Sequence, residues 1–230
     1  MSLFDLAVII PAWNERENIE DLVPAVQKVT DGLGIRAQII VVDGGSHDGT
    51  AEAAERLGAR ALSQRERGYG GALLAGFESV AAPYVVTMDA DLSHPPTFIA
   101  DLWARREQAE LIIASRYVPG GKAVMSRSRR VLSGILNSVF RMALRLPVRD
   151  LSSGFRLYRQ ETLKQLHLHS RDFDVLEEIL VLVYRQGWRV LEVPFQYMPR
   201  QSGSSHAKLI RFGWAYLKTL ARMWRLRKGG

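Results

Sequence analysis

Two carboxylates stand one residue apart in the stretch TMDADLSHPP, residues 87–96. Asp89 and Asp91 come directly after the apolar run that begins at Tyr84. Two carboxylates together with phosphate oxygens are a common site for Mg²⁺ or Mn²⁺, because hard cations prefer oxygen ligands. A structural alternative is that an aspartate here caps the helix expected near Pro95. The spacing and the position after a strand leave these two interpretations nearly balanced.

Glycines are the next candidates for ligand contact. Gly68, Gly70 and Gly71 precede a helical run that we expect to begin at Ala72. They lack the third glycine of the dinucleotide fingerprint, since position 73 is Leu, and no glycine follows the first strand. A tight turn before a helix accounts for them at least as well as ligand contact. An enzyme of hydride transfer is therefore poorly supported.

A basic cluster surrounds the glycine-rich loop at 117–122. Its members are Arg116, Lys122, Arg127, Arg129 and Arg130. Guanidinium groups bind phosphate bidentately, so near an acidic metal site they are suited to pyrophosphate or to a phosphorylated acceptor. The other interpretation is a solvated basic helix start, which the cluster alone favours.

Short apolar strands and helical stretches must position these side chains. Strands are predicted at 6–10, 38–42, 59–63, 84–88 and 111–114, with helical stretches between them. This alternation indicates a mostly parallel sheet flanked by helices on both faces. Ligands bind beyond the carboxyl ends of such strands, so Asp43, Asp89 and Asp91 are expected at one edge.

After residue 116 the pattern changes. A long helix is predicted over 126–146, a strand over 155–158, a helix over 174–186 and a strand over 188–193. We expect one domain over 1–206, followed by a basic amphipathic helix over 207–230.

The terminal helix carries its charges on one face. Arg211, Lys218, Arg222 and Arg225 share that face, and Leu209, Phe212, Tyr216, Leu220 and Met223 lie along another. Such a helix can lie in an anionic membrane interface, or it can pack on its own domain with a basic outer face. The first interpretation is slightly favoured.

Composition narrows the class of protein. Cysteine is absent, which excludes disulfides and thiolate metal sites and fits a reducing compartment. A net charge of +7 suggests an anionic partner. No run reaches the roughly 18 apolar residues needed to span a bilayer. We expect a soluble or peripherally attached protein.

Six motifs occur together in one order along the chain. They are VIIPAWNE at 8–15, VVDGGSHDGT at 41–50, MDADLSHP at 88–95, ASRY at 114–117, DLSSGFR at 150–156 and EVP at 192–194. As a set they resemble a family 2 glycosyltransferase of the GT-A type, and most closely the dolichyl- or polyprenyl-phosphate mannose synthases.

The resemblance implies a GT-A, Rossmann-like α/β fold and an inverting, metal-dependent transfer of a hexose, with mannose favoured. The implied donor is a nucleotide-diphosphate sugar, GDP-mannose ahead of UDP-sugars, and the implied acceptor is polyprenyl or dolichyl phosphate. Mg²⁺ or Mn²⁺ is the implied cofactor. The implied location is the cytoplasmic face of a membrane surface, with no nucleic acid as partner.

Roles for individual residues follow from the same resemblance. The implied donor-binding residues are Pro11, Asn14, Glu15, Asp43, Asp89, Arg200 and Lys208. Asp89 and Asp91 would hold the metal, with Asp91 the favoured direct ligand. Asp91, Arg116 and Arg129 are the implied catalytic residues, and Ser133, Asp150 and Glu178 are assigned to the acceptor side.

Two positions depart from the family pattern. Gly44 stands where many members carry a second aspartate, which leaves the bound base open. Ser93 stands where some relatives have a glutamine near the metal, which leaves the third protein ligand open.

Three other functions stay open. Transfer to a sugar hydroxyl would require a general base, for which Glu178 or Asp150 is the candidate. A sugar nucleotidyltransferase needs a glycine- and arginine-rich loop after the first strand, and AWNERE at 12–17 argues against it. A non-enzymatic binder of nucleic acid or membrane would account for the charge alone.

Overall fold

A seven-stranded sheet forms the centre of the protein. The computed structural model describes residues 2–123, 127–197 and 213–228. The sheet consists of β1 Leu6–Ala12, β2 Ala37–Asp43, β3 Arg60–Ser63, β4 Tyr84–Thr87, β5 Leu111–Ser115, β7 Arg156–Arg159 and β8 Val190–Pro194. Two short strands, β6 Lys122–Ala123 and β9 Gln196–Tyr197, form a separate parallel pair.

The strand order is β3-β2-β1-β4-β7-β5-β8. All neighbours are parallel except β7, which runs antiparallel to both β4 and β5. From β1 the chain builds one side of the sheet with β2 and β3 and the other with β4, so a crevice opens between the carboxyl ends of β1 and β4. The predicted mostly parallel α/β sheet flanked by helices is confirmed.

Helices cover both faces of the sheet. They are α1 Arg16–Gly32, α2 Thr50–Arg56, α3 Tyr69–Ser79, α4 Ile99–Ala104, α5 Arg127–Leu144, α6 Gln160–Lys164, α7 Val175–Arg185 and α8 Gly213–Lys228. A 3-10 turn, Pro96–Phe98, precedes α4. Alternate residues of β1 point to opposite faces, so Val8 and Ile10 join one hydrophobic core while Ala7 and Ile9 join the other. The side chains of residues 6–10 of β1 are therefore used in packing, and polar groups that could bind a ligand lie at the strand ends.

One predicted boundary is wrong. Helix α3 begins at Tyr69 rather than Ala72, so Gly70 and Gly71 lie in its first turn and not in a preceding loop. A Cβ atom on Gly70 would lie 2.7 Å from the carbonyl oxygen of Ser170, and one on Gly71 would clash with the carbonyl oxygen of Glu66. These glycines therefore allow close backbone approach.

Helix α8 packs on the sheet domain along its described side chains. Met223 is fully buried, and Leu220 and Leu226 pack against the same core. Arg222 is not on a free outer face, because it donates to Asp174 at 2.5 Å. The predicted helical residues 207–212 lie outside the described residues. Within the described chain, none of the helices combines the length and apolar character that crossing a bilayer requires.

Candidate active site

The loops after β1 and β2 are interlocked by hydrogen bonds. The Asn14 amide N–H donates to Ser46 Oγ at 2.8 Å, and the His47 N–H donates to Asn14 Oδ1 at 2.9 Å. Asp43 Oδ2 accepts from the N–H groups of Gly45 and Ser46 at 3.2 and 3.1 Å. Asn14 has a positive φ of 54°, a conformation that asparagine tolerates better than most residues. Asn14 and Asp43 thus belong to one fixed wall of the crevice.

Pro11 and Glu15 lie in the same region. Pro11 is half-buried in β1, opposite Val42. The Glu15 N–H donates to Thr50 Oγ1 at 3.0 Å, and the Glu15 carboxylate accepts from the Asn18 amide. The structure therefore brings together all four donor-side residues predicted in the first two loops.

The Asp-X-Asp turn holds its two carboxylates differently. Asp91 is 3% exposed, and its Oδ1 accepts from both the N–H and the hydroxyl of Ser93, at 3.1 and 2.5 Å. The Asp89 side chain is 31% exposed at the crevice. Leu92 adopts a positive φ of 59°, a strained conformation of the kind that clusters at functional sites. The 3-10 turn after Pro95 has no side-chain cap, so Asp91 does not serve as its cap.

His94 is buried and holds the Asp-X-Asp turn through the backbone of Asp89. Its Nδ1 accepts the Asp89 backbone N–H at 3.0 Å, and its ring stacks on Phe155 with centroids 4.9 Å apart. Burial lowers the pKa of His94 against the opposing pull of Asp89 and Asp91, so the imidazole is neutral at pH 7. His94 therefore acts as a buried support and not as a general base facing the crevice.

The donor set at the crevice fits Mg²⁺ or Mn²⁺. Asp89 and Asp91 supply carboxylate oxygen atoms, which are hard ligands, at the crevice between β1 and β4. The residues described hold no cluster of three or more acidic, histidine or cysteine side chains able to bind an ion. One or two carboxylates are nevertheless the usual protein contribution to a Mg²⁺ site. Substrate phosphates and water supply the other ligands.

Arg116 follows β5 and is fixed by Asp150. Its backbone N–H and Nε donate to Asp150 Oδ2 at 2.9 and 2.8 Å, and its Nη2 donates to Asp150 Oδ1 at 2.7 Å. Nη2 also donates to Ser152. Burial opposes the charge of Arg116, but the Asp150 carboxylate outweighs it and raises the pKa of the guanidinium. Asp150 thus orients a permanent cation beside the crevice.

Other predicted site residues are only partly placed. Arg129 and Ser133 both lie on α5, one turn apart, and their side chains lie outside the described part of the structure. Arg200 and Lys208 fall outside the described residues altogether. Glu178 is fully buried on α7, where its carboxylate accepts the N–H groups of His169 and Ser170. Its observed contacts anchor a loop.

Sequence reasoning missed two residues at the site. The Tyr69 hydroxyl lies 3.4 Å from Asp89 Oδ1, and Gly154 borders both groups. Tyr69 was passed over because it stands inside a glycine-rich turn whose contacts are distant in sequence. The signal for Gly154 was its place in the DLSSGFR motif.

Comparison with known proteins identifies the family. The model of "Glycosyl transferase family 2" matches residues 7–166, which include both loops and the Asp-X-Asp turn. This chain belongs to glycosyl transferase family 2. The matched region ends two residues after α6, before the loop that Glu178 anchors.

Two curated relatives within this family are similar over most of the chain. One is the dolichol-phosphate mannosyltransferase of Pyrococcus furiosus, 34% identical over 97% of this chain and 64% of that protein. The other is the polyprenol monophosphomannose synthase of Mycolicibacterium smegmatis, 37% identical over 86% of this chain and 79% of that protein. The chain thus spans just under two thirds of the length of the first relative.

Solved structures share the fold. Glucosyl-3-phosphoglycerate synthase from Mycobacterium tuberculosis superposes with a TM-score of 0.75 at 21% identity, covering 99% of this chain and 81% of that chain. That structure is a complex with Mn²⁺, UDP and glucosyl-3-phosphoglycerate. A second complex of the same enzyme, with Mn²⁺, UDP and phosphoglyceric acid, gives 0.77 at 22% identity, covering 96% and 79%.

Proposed function

We propose that this glycosyltransferase moves a hexose, with mannose favoured, from a nucleotide-diphosphate sugar to a polyprenyl phosphate, with inversion at the sugar carbon. The observation that carries the proposal is the arrangement around the crevice between β1 and β4. The carboxylates of Asp89 and Asp91 stand between a wall suited to a nucleoside and a fixed guanidinium suited to a phosphate. The names of the two curated relatives support mannose and a polyprenol-type acceptor.

The donor side would use the interlocked loops. Asn14 and Asp43, held together through Ser46, would bind the nucleoside. Asp89 and Asp91 would hold Mg²⁺ or Mn²⁺, which when bound stabilises the negative charge of the leaving diphosphate. Arg200 and Lys208 would neutralise the same diphosphate. GDP-mannose is the favoured donor, with UDP-sugars as the alternative.

The acceptor side requires orientation more than proton removal. A phosphate monoester has a second pKa of about 6, so an acceptor phosphate is already anionic at neutral pH. Arg116 and Arg129 would align one phosphate oxygen for attack on the anomeric carbon. As that C–O bond forms, the bond to the donor diphosphate breaks and the nucleoside diphosphate leaves with the electron pair.

The hydroxyl-acceptor alternative is less well supported by the described site. It requires a general base, and both carboxylates considered for that role are engaged. Asp150 accepts three hydrogen bonds from Arg116, and Glu178 accepts backbone N–H groups. A phosphate acceptor needs neither of them as a base.

We further propose that the enzyme works at the cytoplasmic face of a membrane. On α5, Ile135, Val139 and Met142 are 54%, 41% and 65% exposed, and their spacing places them on one helical face. Exposed Arg141 lies on the same helix, and exposed Arg145 follows directly after its end. Apolar and basic groups side by side favour an anionic lipid surface.

The substrates are tested by a matched donor and acceptor screen. Purified protein with Mn²⁺ is given GDP-mannose, UDP-glucose or UDP-N-acetylglucosamine, each with polyprenyl phosphate or with a free glycan. Mannosyl lipid phosphate is the expected product. Transfer to the glycan but not to the lipid would support the hydroxyl alternative, and no transfer or donor hydrolysis at all would support a binding protein.

The role of Asp91 is tested by Asp91→Asn, which keeps the shape of the side chain and removes its charge. Turnover should fall at least about a hundredfold, because charge stabilisation at the leaving group is lost. The control is Asp101→Asn, which removes an exposed carboxylate on α4 that lies 3.4 Å from the guanidinium of Arg105. Metal-dependent transfer that survives in Asp91→Asn would defeat the assignment.

A further inference from the structure

An aromatic pair stands beside the Asp-X-Asp turn. Tyr69, the first residue of α3, places its hydroxyl 3.4 Å from Asp89 Oδ1. Its ring stacks on Phe173 with centroids 4.6 Å apart and planes inclined by 12°. Phe173 is itself 61% exposed, so one of its faces covers Tyr69 and the other faces solvent. The stack fixes the direction of the phenol toward Asp89.

The phenol fits only because residue 154 has no side chain. A Cβ atom on Gly154 would collide with the Tyr69 hydroxyl and would lie 3.3 Å from Asp89 Oδ1. The adjacent Phe155 is fully buried under His94, so the backbone at 154 cannot retreat freely. The gap at Gly154 therefore matches the hydroxyl that occupies it.

The loop that carries Phe173 is held at several points. The Ser170 N–H donates to Glu178 at 2.7 Å, and Arg222 of α8 donates to Ser170 Oγ and to Asp174, both at 2.5 Å. The Gly71 N–H of α3 donates to the carbonyl of Arg171 at 3.0 Å. Phe173 therefore presents its ring to Tyr69 from a fixed support.

Asp89 is approached from a second side by His94, whose Nε2 lies 3.7 Å from Asp89 Oδ2. The Tyr69 hydroxyl donates to the other oxygen, Asp89 Oδ1. Each oxygen of Asp89 thus has a polar neighbour, and the carboxylate is restrained on both sides.

We propose that Tyr69 is a positioning residue that orients the Asp89 carboxylate toward the divalent ion of the donor complex, with Phe173 fixing the tyrosine ring. The inference rests on the proposed metal-dependent transfer and adds to it a residue that acts through Asp89. The hydrogen bond from Tyr69 to the Asp89 carboxylate is long, and we expect it to contribute about 1 kcal/mol, which corresponds to a roughly fivefold change in the affinity for the ion.

The test measures Mn²⁺ binding by calorimetry on protein saturated with GDP, or with UDP if the donor screen selects it. Tyr69→Phe keeps the stacked ring and should raise the Mn²⁺ dissociation constant about fivefold. It should lower kcat in proportion while KM for the acceptor stays unchanged. Phe173→Leu keeps the hydroxyl, loosens the ring and should shift both quantities in the same direction by less.

The control is Tyr84→Phe, which removes another tyrosine-to-carboxylate hydrogen bond, to Glu107 at 2.5 Å, at the opposite end of β4. It should leave Mn²⁺ affinity and kcat unchanged. Wild-type affinity in Tyr69→Phe, with the unfolding midpoint unchanged, would overturn the inference. Normal Mn²⁺ binding without sugar transfer by the wild type would overturn the proposed function alone, and absence of Mn²⁺ binding would overturn both.

Discussion

Buried carboxyl groups in this protein differ in how they are satisfied. Asp150 and Glu178 are fully buried and each accepts several hydrogen bonds. Glu177, beside Glu178 on α7, is half-buried and has a different environment. Burial raises the pKa of Glu177 to about 7, and the nearby Asp174 and Asp150 charges add to the effect while Arg156 opposes it. The ionisation of Glu177 therefore opposes folding.

We expect Glu177→Gln to stabilise the protein at alkaline pH. The unfolded chain loses this proton near pH 4.5 and the folded protein near pH 7, so folding stability falls as pH rises through that window. The neutral amide removes this loss. The free energy of unfolding at pH 8 should rise by up to about 3 kcal/mol, with little change at pH 4.5. Urea unfolding at both values measures the difference.

Glu110→Gln is the control, and it should change the free energy of unfolding at pH 8 in the opposite direction. Burial of Glu110 is outweighed by hydrogen bonds from Arg189, so its pKa is lowered. Glu110 therefore stabilises the folded protein at pH values above the pKa it has in the unfolded chain. This stabilisation is lost as the pH falls through the lower pKa that Glu110 has in the folded protein. Glu110→Gln should therefore destabilise the protein at pH 8. A Glu177→Gln gain that is equal at both pH values would show that packing, and not ionisation, is responsible.

Helix α3 packs closely on the sheet at Gly76. A Cβ atom on Gly76 would lie 2.6 Å from Ile9 Cγ2, a methyl group of a buried, β-branched side chain on β1. Gly134 on α5 has no atom within 4 Å of such a Cβ atom. The same glycine-to-alanine change therefore has opposite expected effects in the two helices.

Gly76→Ala should lower the free energy of unfolding by about 1–3 kcal/mol, because overpacking forces β1 and α3 apart. Gly134→Ala should raise it by up to about 1 kcal/mol, because alanine favours helix where no contact opposes it. Denaturant unfolding of the two variants measures both. Equal stability of the two would mean that α3 can shift on the sheet at little cost.

The sequence predicts those features that depend on residues close together in the chain, and it does not predict those that depend on contacts between distant segments. Apolar runs and strand-end aspartates correctly placed Asp43, Asp89 and Asp91 at one sheet edge, because that pattern follows from the strands themselves. The direction of β7 was not predicted, since a buried strand has the same pattern in either direction. Tyr69 was missed because its contacts with Asp89 and Phe173 join segments that are far apart in the chain.

For the whole molecule, the excess positive charge matters most if the protein works at a lipid surface. Lys218 and Arg225 of α8 are exposed, while Arg222 is paired with Asp174. Each basic residue near an anionic bilayer contributes about 1 kcal/mol of attraction, so Lys218→Glu with Arg225→Glu should weaken binding at least tenfold. Sedimentation with phosphatidylglycerol vesicles at low salt measures this.

A matched control distinguishes the effect of the charges on α8 from the effect of the net charge of the protein. Lys28→Glu with Lys164→Glu makes the same charge change at exposed positions on α1 and α6. This control should weaken vesicle binding much less than the α8 variant. Equal loss in both would indicate net charge alone, and no binding by the wild type would argue against the membrane-surface proposal.

The antiparallel strand β7 also has a consequence for how the chain folds. During synthesis β4 and β5 are both made before β7, the strand that finally separates them. Until β7 arrives, two sheet edges present unpaired backbone groups and can pair wrongly with each other. The segment that carries Asp150 and Gly154 leads directly into β7. Closing the sheet is therefore also the step that brings Asp150 to Arg116 and Gly154 to Asp89.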